Sequence, residues 1–149
     1  MRPLIATLLT TCLLSAVEVA DAFARATAPT QKTGAVFLRL SNSSSSPISL
    51  TSASTAVAGT AELHTHIRED GVMKMRAVPT ITVPAQGSTT LKPGADHIML
   101  FDLKSPLVEG TTLRLTLTFS DASQTQVEVP VRSADATSAD APKACCQGN

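Results

Sequence analysis

The side chains best suited to binding a soft metal ion are concentrated in one quarter of this chain. All three histidines and three of the four methionines lie between residues 64 and 99, in pairs separated by one residue: His64 and His66, Met73 and Met75, and His97 and Met99. Residues at that spacing point to the same side of a β-strand. We therefore expect each pair to present both of its side chains on one strand face.

The donor atoms of these pairs favour copper. A thioether sulfur is a soft ligand and imidazole is borderline, and the combination suits Cu(I) better than magnesium, calcium or zinc. A zinc site would more naturally use cysteine, histidine or carboxylate ligands. Thioethers carry no proton to lose, so only the imidazoles compete with protons for the ion. Thiols, in contrast, are oxidised in exporting compartments, where a His–Met site would still hold copper.

Two of the pairs flank a turn signal, Arg68-Glu69-Asp70-Gly71, which predicts a β-hairpin. With a four-residue loop, His64 would lie opposite Met75 and His66 opposite Met73. A two-residue turn would instead place His66 opposite Met75. Both registers leave these four side chains on one face, and only a bulge would separate them. The other face mixes apolar and charged residues, so the sequence leaves open which face is buried.

Each of these residues also has a simpler explanation. A methionine in a strand usually fills the core, and a single histidine is more often exposed or hydrogen-bonded than metal-bound. The conjunction of two histidines and two methionines on one hairpin face favours a metal site. We expect the single carboxylates Glu62 and Asp96 to lie on strand faces opposite to the neighbouring histidines. The serines at 43–46 lack a glycine elbow, so the sequence predicts no enzyme.

Composition favours a single all-β domain. The formal net charge is zero and Trp and Tyr are absent, which excludes the basic, aromatic surface of a nucleic-acid-binding protein. Turn residues recur between short apolar runs, as in a β-sandwich or barrel. We expect the four phenylalanines to anchor the core: Phe23, Phe37, Phe101 and Phe119. The predicted strands are 17–25, 35–40, 48–54, 61–67, 72–77, 80–83, 88–91, 97–99, 113–119 and 124–131.

The ends of the chain predict export and a flexible tail. Residues 1–16 combine a positive charge with an apolar run, as in a secretory signal peptide, and the run is too short for a permanent membrane anchor. Cleavage after Ala16 preserves the first strand, although small-residue sites also occur at 22–26. The domain then spans 17–131, and residues 132–149 form a polar, disordered tail. Its Cys145-Cys146 pair could bind a soft metal, form a disulfide, or have no defined role.

The chain resembles the PCuAC-type periplasmic copper chaperones. Their signature is His, ten residues, Met, twenty-one residues, His, one residue and Met, and it falls on His64, Met75, His97 and Met99 without a gap. Three matches at fixed offsets from one histidine make this a specific motif. The resemblance covers about residues 17–131 and includes the segments Glu62-Leu63-His64 and Leu91-Lys92-Pro93-Gly94.

The resemblance implies a cupredoxin-like, immunoglobulin-like Greek-key β-sandwich that binds one Cu(I) through His64, Met75, His97 and Met99. It also implies delivery of copper toward the copper-A centre of cytochrome c oxidase, alongside Sco-type proteins, in the periplasm. We expect a monomer. His66 stands where the family commonly has methionine, so it could add a ligand or favour Cu(II).

Other parts of the sequence could supply auxiliary copper ligands, namely Met73, Cys145 and Cys146. Two other functions stay open at this stage. One is a metal-free immunoglobulin-like adhesion or assembly module, in which the histidines and methionines only pack. The other is a copper redox enzyme, which would need an open metal position and a substrate pocket. A Cu(I) titration separates the first from a chaperone, and a turnover assay separates the second.

Overall fold

The computed structural model describes residues 16–137, and within them the regular structure is entirely β. These residues contain no helix long and apolar enough to cross a bilayer. The expected leader, apart from Ala16, and the pair Cys145-Cys146 lie outside the described residues. The strands are β1 Val17–Arg25, β2 Gly34–Asn42, β3 Ile48–Thr55, β4 Ala58–Glu69, β5 Val72–Ala77, β6 Ile81–Val83, β7 Gly87–Leu91, β8 His97–Leu103, β9 Thr112–Phe119 and β10 Gln124–Arg132.

The strands form two layers joined along one hydrogen-bonded path. The first sheet has the order β5-β4-β8-β2-β1, with β7 also paired to β2, and the second has the order β10-β9-β3-β6. A short parallel pairing of β1 with β10, at Ala24–Val131 and Arg25–Arg132, connects the two layers. All other pairings are antiparallel. The predicted all-β architecture is confirmed.

The core lies between the sheets and follows the alternation of each strand. In β2, every second residue from Val36 to Leu40 is fully buried, and β9 does the same from Leu113 to Leu117. Burying an aliphatic side chain contributes roughly 1.5–3 kcal/mol, so these rows hold the two layers together. The face of the first sheet that is turned away from this core is here called the outer face.

A β-bulge in β1 changes what the outer face carries. The pairing with β2 shifts by one residue between Ala20 and Phe23, and Asp21 has a positive φ of 52°. Because the side-chain period of a strand is two, this extra residue moves Phe23 to the opposite face. Phe23 consequently lies beside Phe37 on the outer face, with ring centres 5.2 Å apart.

The hairpin of β4 and β5 forms the edge of the first sheet. Asp70 and Gly71 both have positive φ, at 51° and 79°, as a two-residue type I′ turn requires. This turn sets the tighter of the two predicted registers, with His66 opposite Met75. Strand β5 is exposed along its whole length, and Val72 is 58% exposed. The hairpin tip therefore extends beyond the core into solvent.

Candidate metal centre

Two neighbouring strands, β4 and β8, bring all three histidines to one place on the outer face. β4 lies between β5 and β8, and His64 pairs directly with His97 across β4 and β8. The ring centre of His97 is 5.9 Å from that of His64 and 5.2 Å from that of His66. His64 and His97, which are 33 positions apart in the chain, thus lie side by side because β4 pairs with β8.

His97 is the buried centre of this cluster. Only 3% of it is exposed, and its Nδ1 lies 3.0 Å from the carbonyl oxygen of Ala95. A carbonyl oxygen only accepts hydrogen bonds, so Nδ1 carries the hydrogen. Burial lowers the pKa of His97 below its ordinary value, with smaller lowering contributions from His66 and His64, while the Ala95 hydrogen bond and Asp96 act in the opposite direction. In the neutral ring, which burial favours, Nδ1 therefore carries the hydrogen and Nε2 is unprotonated.

The sulfur of Met75 faces that unprotonated nitrogen. The distance from Met75 Sδ to His97 Nε2 is 3.0 Å. In the neutral ring no hydrogen stands between these two atoms, so each presents a lone pair to the other. Met75 as a whole residue is 46% exposed. A soft cation is the species that two such donors would both attract.

His64 is held by a carboxylate, which leaves its second ring nitrogen free. Its Nε2 donates to Glu62 Oε2 at 2.9 Å, and its Nδ1 is buried without a hydrogen-bond partner. A carboxylate on one ring nitrogen and an open second nitrogen are typical of metal-binding histidines. The prediction that Glu62 lies on the face opposite to His64 is wrong. The two residues are separated by one position, and that spacing alone places them on the same face.

His66 shares the carbonyl that orients His97. Its Nδ1 lies 3.1 Å from the Ala95 oxygen, so this ring also carries its hydrogen on Nδ1 and leaves Nε2 available. One backbone carbonyl in the loop before β8 therefore orients two imidazoles. No residue type marks such a carbonyl, and the sequence offered no signal for it.

The two remaining methionines differ in their relation to the cluster. Met99 lies on the same face as His97, opposite Glu62 on β4 and Ala35 on β2. It lines a cavity of about 260 Å³ together with Arg25 and other residues. Met73 lies opposite Arg68 near the turn and is 53% exposed. The register therefore places Met99 on the same face as His97 and two residues from it, in a cavity that no histidine lines, and Met73 at the outer edge of the hairpin.

Aromatic rings enclose the cluster on the side of the sheet. The Phe37 ring lies 6.1 Å from His97, and the Phe101 ring lies 5.8 Å from His64. Phe23, Phe37 and Phe119 are buried. Phe101 is only partly buried, so its predicted role as a core anchor is wrong, and it lies against the site instead. The Phe37 and Phe101 rings thus border two of the three imidazoles.

The spacing of the rings fits a shared ion. Two imidazoles bound to one ion through bonds of about 2.0–2.1 Å have ring centres about 5.2 Å apart at a tetrahedral angle and about 6.4 Å apart when opposed. The observed separations of 5.2 and 5.9 Å fall in this range. Among residues 16–137, however, no three His, Cys, Asp or Glu side chains form a group that could hold a metal by themselves. Methionine sulfur is therefore needed to complete the donor set.

Comparison with known proteins places the chain in a family. Residues 17–131 match the family described as "Putative lipoprotein LpqE-like". The chain belongs to the LpqE-like family. A lipoprotein of the same description, Lxx21020 from Leifsonia xyli, is 34% identical over 99 residues, which are 66% of this LpqE-like chain and 60% of the relative. The uncharacterised protein RP573 from Rickettsia prowazekii is 31% identical over 121 residues, covering 78% of this chain and 67% of that protein. The matched part of the chain thus spans about two thirds or less of the length of these relatives.

Solved structures support the same assignment. The solution structure of CuI-DR1885 from Deinococcus radiodurans is 33% identical to this LpqE-like chain, covers 82% of it and 83% of that chain, and superimposes with a TM-score of 0.63. The copper-bound PCuAC domain from PmoF2 is 18% identical, covers 80% of this chain and 94% of its own, and has a TM-score of 0.69. The predicted relation to PCuAC domains and the cupredoxin-like sandwich are confirmed.

Proposed function

We propose that this LpqE-like protein is a copper chaperone that binds one Cu(I) and transfers it by ligand exchange. The observation that carries the proposal is the contact of His97 Nε2 with Met75 Sδ at 3.0 Å, which brings a nitrogen and a sulfur together on the outer face. The relation to CuI-DR1885 and to the copper-bound domain of PmoF2 supports copper as the cargo. Thioether with imidazole is a donor set for Cu(I).

The proposed ligands are His64, Met75, His97 and Met99. His64 would bind through Nδ1, which is buried and unpartnered, and His97 through Nε2. Two donors on one ion at a tetrahedral angle lie about 3.5 Å apart when the bonds are about 2.0 Å to nitrogen and 2.3 Å to sulfur. Met75 would have to retreat by about half an ångström from its present contact, and a half-exposed, unbranched side chain can do so.

Release would begin at the exposed side of the site. His97 is fixed in the sheet, whereas Met75 lies on an edge strand that is exposed throughout. An incoming donor from an acceptor protein would reach the ion beside Met75 and replace its sulfur first. This process needs no general base or nucleophile, so we propose transfer and not catalysis. The acceptor we propose is the copper-A subunit of cytochrome c oxidase or a Sco-type protein.

We propose that the protein works after export, in the periplasm. The apolar leader at residues 1–16 supports this, as does the lipoprotein description of the family and of the Leifsonia relative. Cleavage after Ala16 would leave β1 whole, because that strand begins at Val17. A cut at 22–26 would remove the bulge that places Phe23 on the outer face, and with it part of the aromatic wall of the site.

The test is a Cu(I) titration of the protein under anaerobic conditions against a chromophoric chelator, followed by X-ray absorption of the loaded sample. We expect one equivalent of Cu(I) with nitrogen and sulfur neighbours. The His97→Ala variant should lose this binding while it retains its β-sheet circular dichroism. A wild-type protein that leaves all Cu(I) with the chelator would refute the proposal and favour a metal-free assembly module.

A further inference from the structure

Strand β5 carries two thioethers at the surface of the domain. Met73 and Met75 are two of the four large apolar residues that are exposed among the described residues, at 53% and 46%. β5 is an edge strand next to β4, and all of its residues are exposed. Met99 is only partly exposed on β8, a strand that lies between β4 and β2. We therefore expect a dissolved oxidant to reach Met73 and Met75 before Met99.

The surroundings of Met73 are compatible with its oxidation to a sulfoxide. Met73 lies opposite Arg68 in the hairpin register, and directly opposed residues have Cβ atoms roughly 4.5–5.5 Å apart. A sulfoxide oxygen accepts hydrogen bonds, and the guanidinium group of arginine offers five N–H donors. Oxidation of Met73 thus places an acceptor beside a donor and leaves the hairpin intact.

The surroundings of Met75 have the opposite character. Its Sδ lies 3.0 Å from His97 Nε2. In the neutral ring this nitrogen carries no hydrogen, because Nδ1 carries it and donates it to the Ala95 carbonyl at 3.0 Å. A sulfoxide oxygen at this position would face a second acceptor, and in this tautomer His97 has no hydrogen to donate to it. Oxidation of Met75 consequently breaks the contact between sulfur and imidazole.

We propose that Met75 is a site of reversible oxidation by peroxide, and that its sulfoxide form closes the metal centre to Cu(I). The sulfur lone pair attacks one oxygen of hydrogen peroxide, so that an S–O bond forms while the O–O bond breaks. The hydroxide that leaves takes up the remaining proton and becomes water. The sulfur loses two electrons and the peroxide gains them. A dithiol-dependent sulfoxide reductase reverses the change, with water and a disulfide as the other products.

The oxidised side chain is a poor ligand for the proposed cargo. A thioether is a soft donor that favours Cu(I), whereas a sulfoxide presents an oxygen, the donor that harder ions prefer. This inference rests on the proposed function, in which Met75 is a copper ligand. A sulfur bound to copper has already given a lone pair to the ion, so the change acts on the empty protein. It would stop an empty chaperone from taking up Cu(I) while peroxide is present.

The experiment treats the metal-free protein with hydrogen peroxide after its cysteines have been blocked with N-ethylmaleimide. Catalase removes the peroxide before an anaerobic Cu(I) titration against a chromophoric chelator, and peptide mass mapping locates each added oxygen. A second portion is incubated with methionine sulfoxide reductases A and B and dithiothreitol, then desalted and titrated. Met73→Leu is the matched control, because Met73 lies on the same strand and face as Met75. Circular dichroism establishes that each sample is folded.

We expect oxygen on Met73 and Met75 before Met99. Loss of a partner that orients a ligand already weakens metal binding by about 10–100-fold, so oxidation of Met75 should weaken Cu(I) binding at least about tenfold. Met73→Leu should show the same loss as wild type, and the reductases should restore both. Met75→Leu should bind Cu(I) equally before and after peroxide, because the sensitive sulfur is absent.

The outcomes separate this inference from the proposed function. Treated wild type that carries oxygen on Met75 and keeps its Cu(I) affinity overturns the inference alone. A Met75 that stays unoxidised after Met99 has reacted does the same, as does a Met75→Leu variant that peroxide weakens as much as wild type. Failure of untreated wild type to bind Cu(I) overturns the proposed function, on which the inference depends.

Discussion

Replacing Met75 by leucine should separate copper binding from folding. Met75 is 46% exposed on an edge strand, and leucine has a similar volume, so few core contacts change. We expect the free energy of unfolding of the metal-free variant to stay within about 0.5 kcal/mol of wild type. The thioether that faces His97 Nε2 at 3.0 Å is nevertheless removed.

The expected effect on copper-dependent stability is large. A ligand present at about a thousand times its dissociation constant adds about 4 kcal/mol to the folded state. For a domain of this size 1 kcal/mol moves the melting temperature by about 4 °C, so Cu(I) should raise it by about 16 °C in wild type. If losing one of four donors weakens binding about a hundredfold, about 1.4 kcal/mol or 6 °C should remain in Met75→Leu.

The assay is thermal unfolding followed by circular dichroism, with and without Cu(I) under anaerobic conditions. Met73→Leu is the matched control, because Met73 is on the same strand and face and is 53% exposed, but it pairs with Arg68 and not with a histidine. It should keep the full copper-induced shift. Equal shifts in Met75→Leu and wild type would show that the Met75 sulfur is not a ligand, and an equal loss in both variants would show that the effect is not specific to position 75.

Three further predictions follow from single contacts. Glu62→Gln should weaken Cu(I) binding about 10–100-fold in chelator competition, because it removes the charge on the acceptor of His64, whereas Glu69→Gln on the opposite face should not. Gly71→Ala should lower the free energy of unfolding in urea by about 1–2 kcal/mol, since the φ of Gly71 is +79°, and it should also weaken Cu(I) binding. The control is Gly110→Ala, at φ +87°, which should lower the free energy of unfolding by a similar amount and leave Cu(I) binding unchanged. Because burial lowers the pKa of His97 below 6.5, the unfolded chain binds more protons, so the unfolding free energy of the metal-free protein should fall as pH decreases below about 6.5. In His97→Gln, urea unfolding at several pH values should show less of this dependence.

Several strands were predictable because apolar residues alternate along them. In β9 every second residue from Leu113 to Phe119 is buried, and that alternation is visible in the sequence. The shared face within each pair of histidines or methionines was predictable for a related reason, since residues separated by one position point to the same side of a strand. The sequence thereby predicted which side chains share a strand face, without the contacts between them.

What the sequence could not specify depends on backbone geometry. The hairpin register followed from the left-handed conformation of Asp70 and Gly71, and the sequence allowed two turn lengths. The bulge at Asp21 moved Phe23 to the outer face, and a bulge leaves no unambiguous residue signature. The Ala95 carbonyl that orients His66 and His97 is a main-chain atom, which any residue would have provided.

In the proposed function, retention and release of the ion would fall to different parts of the fold. His97 is 3% exposed on a central strand, flanked by Phe37, so its position is fixed by the same packing that stabilises the sandwich. Met75 is on an exposed edge strand whose ion pairs from Glu69 to Lys74 and Arg76 lie at the surface and contribute little. A donor on a weakly held edge can be displaced without disturbing the core. If copper binds as proposed, the arrangement would therefore let an acceptor remove it one ligand at a time while the sheet keeps its shape.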